Sequence, residues 1–231
     1  MRKTLLTTAA LLLAHCVCGC VEPYPFALDC KFSSGKALKS AMQKCLRNLP
    51  DDPFCADICG LPVGAWDTSE VTSLAQVFSY SDDAKPELFQ GNVGTWDTSN
   101  VTDMSRLGLC PDSRYTKMPD FGIGEWDTSK VTTMEGAFAN CDAQYLNQDI
   151  RGWDTSNVTN MRHMFRDAAY FNQDISGWDT SNVTNMEQMF NGATKFDQDL
   201  SGWCVEKFAS APAYFAPKLK GTKHPVWGTC P

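Results

Sequence analysis

Residues 153–177 read WDTSNVTNMRHMFRDAAYFNQDISG, and residues 178–202 repeat this segment almost letter for letter. The tetrapeptide Trp-Asp-Thr-Ser opens five such repeats, and a shortened sixth copy begins with Trp-Cys. The opening tryptophans are Trp66, Trp96, Trp126, Trp153, Trp178 and Trp203, at spacings of 30, 30, 27, 25 and 25 residues. A near-constant period of this length is typical of a solenoid, in which each unit buries its apolar side chains against its neighbours. We number each repeat from its tryptophan, which is position one.

Positions five to seven of each repeat have the pattern of a short β-strand. Position six is valine in all five repeats, for example Val158 and Val183, and polar residues stand on either side of it. Alternation of this kind turns the valine toward a core. We expect stacked repeats to pair these segments into a parallel sheet.

Positions eight to sixteen have the pattern of a short amphipathic helix. Position eight is always Ser, Asp, Thr or Asn, which are preferred helix N-cap residues. In the fourth repeat the apolar residues then follow on one helical face, at Met161, Met164, Phe165 and Ala168. The second repeat departs from the pattern, because Gly108 replaces the phenylalanine of position thirteen. Strand and helix together predict an α/β solenoid of about five coils of 25–30 residues with a short-stranded parallel sheet.

The N-terminus has the features of an export signal. Residues 1–20 contain a basic start, an apolar run and small residues, which predict a secretory signal peptide. Lipidation at Cys20 after cleavage is the alternative to free secretion. No later segment is apolar over the roughly 20 residues that a membrane-spanning helix needs.

The rest of the chain divides into three parts. Residues 21–60 are expected to form an N-terminal cap, and within them residues 33–47 predict an amphipathic helix behind a serine N-cap. The repeats occupy residues 61–203, and residues 204–231 are expected to form a C-terminal cap. Terminal caps are needed because an open stack would expose its core.

Eight cysteines follow the signal peptide, and an even number in an exported chain favours disulfides. Stacking brings position fifteen of the second repeat near position sixteen of the third, so we expect Cys110 and Cys141 to pair. Cys204 and Cys230 bracket the C-terminal cap and are expected to pair with each other. The sequence leaves the pairing of four others open: Cys30, Cys45, Cys55 and Cys59.

The charge of the chain excludes some partners. The net charge is −7, and removal of Arg2 and Lys3 with the signal peptide makes it −9. An acidic chain of this kind is repelled by nucleic acid and by anionic lipid. We therefore expect neither as a partner.

The words WDTSNVTNM and FNQDISGWDTSNVTNM resemble the BspA-like surface-protein repeat, a divergent leucine-rich-repeat family of bacterial surface lipoproteins and of secreted proteins in microbial eukaryotes. The resemblance covers roughly residues 57–231, and it includes the closing segment PVWGTCP at residues 225–231. It implies a right-handed, leucine-rich-repeat-like solenoid that is secreted or displayed at a surface and that serves adhesion or recognition. The family has no general catalytic motif to carry over.

Aspartates recur at position two and again four residues before the next tryptophan. Such carboxylates repel one another when stacked, so each needs a partner. The simpler interpretation is an Asx turn, in which the aspartate accepts the N–H group two residues later. The alternative is calcium held between neighbouring coils, for which the candidate ligands are Asp154, Asp174, Asp179 and Asp199.

Three asparagines begin the glycosylation acceptor word Asn-Val-Thr: Asn100, Asn157 and Asn182. The repeat by itself generates this word, so it does not establish modification. The contact surface is expected at the insertions in the first two repeats, around residues 81–86 and 109–118, and at variable positions of the predicted helices. Those variable positions are Arg162, His163, Glu187 and Gln188.

These observations predict a monomeric, non-enzymatic protein, secreted or at the cell surface, that recognises an extracellular protein or glycan without a cofactor. For catalysis the mature chain offers only His163 and His224 as histidines, and neither has an evident nucleophile or metal partner in the sequence. Two other classes stay open. One is a carbohydrate-active enzyme on a solenoid scaffold, and the other is a structural component of a wall or matrix.

Overall fold

The computed structural model describes residues 30–49, 51–79, 88–109, 120–141 and 148–231. The predicted signal peptide, Cys20 and Cys110 lie outside these residues, as do the two insertions except for Leu109. No helix in the described ranges is long and apolar enough to cross a bilayer.

Within the described residues, the α-helix α1 spans Gly35–Asn48, and the other helical elements are short 3-10 turns. They include Ala56–Ile58, Val63–Ala65, Ile123–Glu125 and Gly221–Lys223. The remaining described backbone consists of bends, turns and irregular segments. Most of the fold is therefore built from turns that repeat along the chain.

The prediction of an α/β solenoid with a short-stranded parallel sheet is wrong. Within the described ranges, β-type pairing between repeats is limited to isolated parallel bridges at position eight: Ser73–Asp103, Asp103–Thr133, Thr133–Asn160 and Asn160–Asn185. No extended strand forms around the position-six valine, because its N–H group turns back to the threonine carbonyl of its own repeat. Val158 N, for example, donates to Thr155 O at 2.9 Å. This turn closes the segment before a strand can continue.

The helix predicted from position nine is also absent from the described repeats. Its N-cap residue makes an Asx turn instead, since Asn160 Oδ1 accepts the N–H group of Arg162 at 3.0 Å. The N–H groups of Met161, His163 and Phe165 then donate to the next repeat, at 2.8, 3.0 and 2.9 Å. Alternate N–H groups donate three residues back, as from Arg166 N to His163 O at 3.0 Å. These bonds produce a series of tight turns.

A left-handed residue at position eleven keeps these turns from continuing as a helix. The φ angle is positive there in all five repeats, at Gln76, Arg106, Gly136, His163 and Gln188. An α-helix requires negative φ at every position. The prediction of which side chains point inward nevertheless holds, since Met161, Met164, Phe165 and Ala168 have no solvent exposure.

The position-one tryptophans form a buried ladder that joins the repeats. From the second repeat onward, each indole Nε1 donates to the carbonyl three residues before the preceding tryptophan. The partners are Val63, Val93, Ile123, Ile150 and Ile175, at 2.8 to 3.2 Å. Trp66 has no repeat before it and instead donates to Leu61 O at 3.2 Å. The constant position of the tryptophan within the repeat is thus explained by a bond between repeats.

The position-three threonines form a second buried ladder. Each hydroxyl donates forward to the position-two carbonyl of the next copy, as from Thr155 Oγ1 to Asp179 O at 2.9 Å. The same bond is made by Thr68, Thr98, Thr128 and Thr180. A buried hydroxyl without a partner would destabilise the fold, so these bonds make the threonine compatible with the core.

Stacked aromatic rings fill the centre of the later repeats. Phe165 lies between Phe138 and Phe190, with ring centroids 5.6 and 5.5 Å away, and contacts Phe171 at 3.8 Å. In the second repeat Gly108 leaves this row without a ring. Phe121 occupies the neighbouring space, because it is fully buried and its ring lies 5.3 Å from that of Phe78.

The N-terminal cap contains the helix that the sequence predicted. Ser34 is its N-cap and accepts the N–H group of Ala37, and the buried face carries Leu38, Met42, Cys45 and Leu46. Two disulfides hold the cap together, Cys30–Cys59 and Cys45–Cys55. The pairing that the sequence left open is thereby decided.

The C-terminal cap covers the last rings of the aromatic core. Phe215 packs edge-on against Phe190 and Trp203, and Trp227 packs edge-on against Phe215. The disulfide Cys204–Cys230 joins the two ends of this segment, as its position in the sequence suggested. Cys141 is also disulfide-bonded, and its predicted partner Cys110 lies outside the described residues.

Candidate functional site

The position-two aspartates make the Asx turns expected from the sequence. Asp154 Oδ1 accepts the N–H group of Ser156 at 2.9 Å, and the equivalent bond is present in the other four repeats. Hydrogen bonds from the following serine lower the pKa of Asp67, Asp127 and Asp179. These carboxylates therefore stabilise the corner of each repeat.

The aspartates that were candidate calcium ligands also accept hydrogen bonds within turns. Asp174 Oδ1 accepts from both the backbone and the hydroxyl of Ser176, at 3.0 and 2.7 Å. Asp199 accepts the N–H group of Ser201 at 2.9 Å, and Asp179 accepts that of Ser181. Across the described ranges, no three His, Cys, Asp or Glu side chains converge as metal ligands. The geometry gives these aspartates a role in turns.

Turns of this kind predict acid-sensitive stability. The pKa of Asp149 is lowered from 3.8 to about 2 by hydrogen bonds from Arg151, and that of Asp174 is lowered by Ser176. A carboxylate with a lowered folded-state pKa stabilises the fold fully above its unfolded pKa and loses this contribution as the pH falls. We expect the melting temperature to be constant above about pH 5 and to fall progressively toward pH 2.

The comparison of the full chain with Asp174→Asn checks this expectation. The amide oxygen introduced by this substitution would still accept the turn bond but would not titrate, so the variant should lose less stability between pH 5 and pH 2. Asp174→Ala, which lacks the acceptor, should melt at a lower temperature at pH 7. Equal acid sensitivity of the wild type and Asp174→Asn would contradict the role assigned to this carboxylate.

The three acceptor asparagines bond the repeats together. Asn182 Nδ2 donates to Ser156 O at 2.8 Å, Asn157 Nδ2 to Ser129 O at 2.7 Å, and Asn100 Nδ2 to Ser69 O at 2.9 Å. All three side chains are nevertheless exposed at the surface. The Asn-Val-Thr words therefore have a structural role, whether or not they are modified.

The four predicted contact residues lie on adjacent turns of the fourth and fifth repeats. Arg162 forms an ion pair with Glu187, with Nε and Oε2 3.2 Å apart, and its Nη1 lies 4.0 Å from Glu135. The N–H group of His163 donates to Glu187 O at 3.0 Å, and that of Gln188 donates to Ala213 O of the C-terminal cap at 2.9 Å. Of the four, only His163 is among the described residues that line a groove.

This turn groove crosses the turns of the first four repeats and has a volume of about 390 Å³. Its lining residues are Gln76, Ser79, Arg106, Gly108, Gly136, Ala139, Asn140, His163 and Arg166. They come from the position-eleven row and from the turn that follows it. The lining is mostly polar, with two guanidinium groups and one imidazole.

Gly136 helps to explain why the groove lies at the second and third repeats. It stands at position eleven, where the other repeats carry a longer side chain, and a Cβ atom there would lie 3.3 Å from Cγ of Arg106. The third repeat therefore lacks a side chain that would otherwise enter this space. Gly108 also lines the groove and allows a close approach to the first repeat, since a Cβ atom there would lie 2.8 Å from the backbone N of Ser79.

Both arginines of the groove contact a neighbouring carboxylate and remain exposed. Arg106 Nη2 lies 3.6 Å from Glu135, and Arg166 Nε lies 3.2 Å from Asp167. Burial lowers the pKa of His163, and the charges of Arg162 and Arg166 lower it further. The imidazole is accordingly neutral at pH 7, and its buried Nε2 atom has no hydrogen-bond partner within the described part of the chain.

The sequence predicted His163 as a contact residue but did not predict the groove around it. The signal in the sequence is Gly136, because the other repeats carry a longer side chain at position eleven. Gly108 also departs from the pattern, at a position where the other repeats bury a phenylalanine in the core. A departure from a repeated pattern toward glycine can create a cavity, because the surrounding repeats keep the backbone in place.

A family model described as "Mycoplasma protein of unknown function, DUF285" matches residues 54–108 and 113–224. The match covers well over half of the chain and includes all five repeats. No curated protein and no solved structure matches the chain. The family match supports a repeat-containing protein of the surface type, and it does not specifically establish the BspA-like leucine-rich repeat.

Proposed function

The chain belongs to the DUF285 family, and we propose that it is a secreted or cell-surface protein that binds an extracellular glycan or protein in the turn groove without catalysing a reaction. The observation that carries this proposal is the groove itself. It is a concave surface of about 390 Å³ lined by hydrogen-bonding side chains, and it lies where two repeats depart from the common pattern.

An extracellular location is supported by the disulfides. Three pairs are described, and they hold the two terminal caps: Cys30–Cys59, Cys45–Cys55 and Cys204–Cys230. Disulfides persist in oxidising compartments and are rare in the cytosol. The basic and apolar start of the sequence, which is typical of a secretory signal peptide, also supports export.

Recognition is favoured over the alternative of a carbohydrate-active enzyme. Cleavage of a glycosidic bond generally uses two carboxyl groups that flank the bond. The lining of the groove includes guanidinium, amide, hydroxyl and imidazole groups, and none of its described members carries a carboxyl group. The groups present suit hydrogen bonding to a ligand better than this proton-transfer chemistry.

The proposal predicts that filling the groove abolishes binding. Gly136→Gln places in the third repeat the residue that Gln76 and Gln188 already provide at position eleven with similar φ. The variant should therefore fold, and we expect it to lose at least about tenfold in affinity, or about 1.4 kcal/mol, for any ligand of the groove. The measurement is binding of the secreted full chain to arrays of glycans and extracellular proteins.

Gly177→Gln is the matched control. It makes the same substitution at an exposed glycine that has no neighbouring atom within 4 Å of a Cβ atom, so its binding should equal that of the wild type. Melting temperatures of both variants would show that each is folded. Binding that survives Gly136→Gln would reject the groove as the site, and an absence of any array ligand would favour the structural alternative.

A further inference from the structure

We propose that the ligand of the turn groove is an acidic glycan, a saccharide that carries carboxylate or sulfate groups. This inference rests on the proposed function and adds the chemical class of the ligand. It follows from three features of the groove: its charge, its neutral hydrogen-bonding groups and the size of its side chains.

The groove presents two exposed guanidinium groups although the chain as a whole is acidic. The chain has a net charge of −7, and the described lining contains Arg106 and Arg166, which also contact Glu135 and Asp167 beside the groove. Each guanidinium group has five N–H donors in a planar fork that matches a carboxylate or sulfate group. The contact of Arg106 with Glu135, at 3.6 Å, is longer than a hydrogen bond. The fork of Arg106 can therefore bind an anion at the surface of the groove.

Gly136 positions the side chain of Arg106 for this role. A Cβ atom at Gly136 would lie 3.3 Å from Cγ and 4.0 Å from Nε of Arg106, so the arginine passes close over the glycine backbone. A side chain at position 136 would compete with it for that space. The same glycine that opens the groove therefore also allows the cation to lie along it.

Neutral polar groups beside the arginines suit the hydroxyls of a sugar. Gln76 and Asn140 provide amides, and Ser79 provides a hydroxyl. Amide and hydroxyl groups can both donate and accept hydrogen bonds, as the hydroxyls of a sugar require. A saccharide presents hydroxyls next to its acidic group, so it can use both kinds of partner.

The size of the side chains favours a saccharide over an acidic peptide. Ala139 is the only apolar side chain in the described lining, so the groove offers no pocket for an apolar peptide side chain. The volume of about 390 Å³ lies at the lower end of the range of small-ligand sites. One or two sugar residues are expected to occupy it.

Four polymers separate the sources of negative charge: polygalacturonate carries carboxylates, dextran sulfate carries sulfates, dextran is neutral, and poly-L-glutamate is an acidic peptide. We expect the full chain to bind polygalacturonate, dextran sulfate or both, at least about tenfold more tightly than it binds dextran or poly-L-glutamate. The affinity should fall as salt is raised, because exposed charges are screened. The acidic polysaccharide that binds with the higher affinity identifies the anionic group as carboxylate or sulfate.

Arg106→Gln and Arg166→Gln should each weaken the binding by about tenfold or more, since hydrogen bonds between charged groups are stronger than those between neutral groups. Arg151→Gln is the matched control. Its arginine is also exposed and also contacts a carboxylate, that of Asp149 at 2.7 Å, but it does not line the groove, so the affinity of this variant should equal that of the wild type. All three variants change exposed side chains, and their melting temperatures would confirm that they are folded.

Equal binding of dextran, tighter binding of poly-L-glutamate, or equal losses in all three arginine variants would overturn the acidic-glycan assignment. Failure of this assignment is distinguishable from failure of the proposed function. A neutral glycan or a protein that binds on the arrays and is lost in Gly136→Gln would leave the recognition function standing. The absence of any ligand sensitive to Gly136→Gln would remove both.

Discussion

Phe165→Ala is expected to lower the free energy of unfolding by about 3–5 kcal/mol, the usual cost of removing a buried ring. Phe165 has no solvent exposure, and its ring contacts four others, those of Phe138, Phe171, Trp178 and Phe190. The repeats on both sides hold their backbones through hydrogen bonds, so the cavity cannot close easily. Urea denaturation followed by tryptophan fluorescence would measure the loss.

Phe165→Leu provides the comparison, because it keeps an apolar side chain in the same place. We expect it to lose clearly less stability than Phe165→Ala. A loss below about 1 kcal/mol for the alanine variant would mean that the fourth repeat does not depend on this stack. In that case the inter-repeat hydrogen bonds would be the main source of stability.

Removal of the C-terminal disulfide is the second large effect. Cys204→Ser combined with Cys230→Ser should lower the free energy of unfolding by about 3 kcal/mol, because the 26-residue separation is no longer closed in the unfolded chain. It should also release the cap from the rings of Phe190 and Trp203. The exposed rings of the variant should then bind a hydrophobic dye under conditions in which the wild type binds none.

The other end of the chain provides the control. Cys30→Ser combined with Cys59→Ser removes a disulfide of similar separation, 29 residues, from the N-terminal cap. Hydrogen exchange should then quicken near α1 and leave the fifth repeat protected, whereas loss of Cys204–Cys230 should do the reverse. Faster exchange throughout the chain in both variants would show that the array unfolds as one unit.

Repeat proteins often respond locally to such changes, because each unit contacts only its neighbours. The described structure has this character. Its threonine and asparagine ladders run between adjacent repeats, as in the bonds of Thr155 and Asn182, and from the second repeat onward each tryptophan bonds to the residue three before the preceding tryptophan, as Trp178 does to Ile150. A ligand that binds across several repeats, as one in the turn groove would, should therefore stabilise the repeats that it joins.

Several features could be predicted from the sequence because they depend on local or repeated chemistry. The period of the repeats identified the buried residues, including Val158, Met161 and Phe165, since any stacked arrangement must bury the same side chains. The aspartate turns were predictable because an Asx turn needs only the two residues that follow. Helix α1 was predictable because its N-cap and apolar face lie within one short segment.

The path of the backbone within each repeat was predicted wrongly, and so was the fold class. The spacing at positions nine, twelve, thirteen and sixteen is compatible with a helix, and it is equally compatible with successive tight turns. The partners of His163 N and Phe165 N are carbonyls of the next repeat, about 24 residues along the chain. No local pattern contains that information.

The sequence by itself thus determined the repeat period, the inward-facing residues, the Asx corners and the N-terminal helix. The tertiary structure alone decided that turns replace strand and helix, and that Gly136 leaves room for a groove beside Arg106. The physical reason is the same in both cases. The neighbouring repeat supplies the carbonyl groups that accept the backbone N–H bonds. It also determines whether the space beside a glycine is filled or stays open.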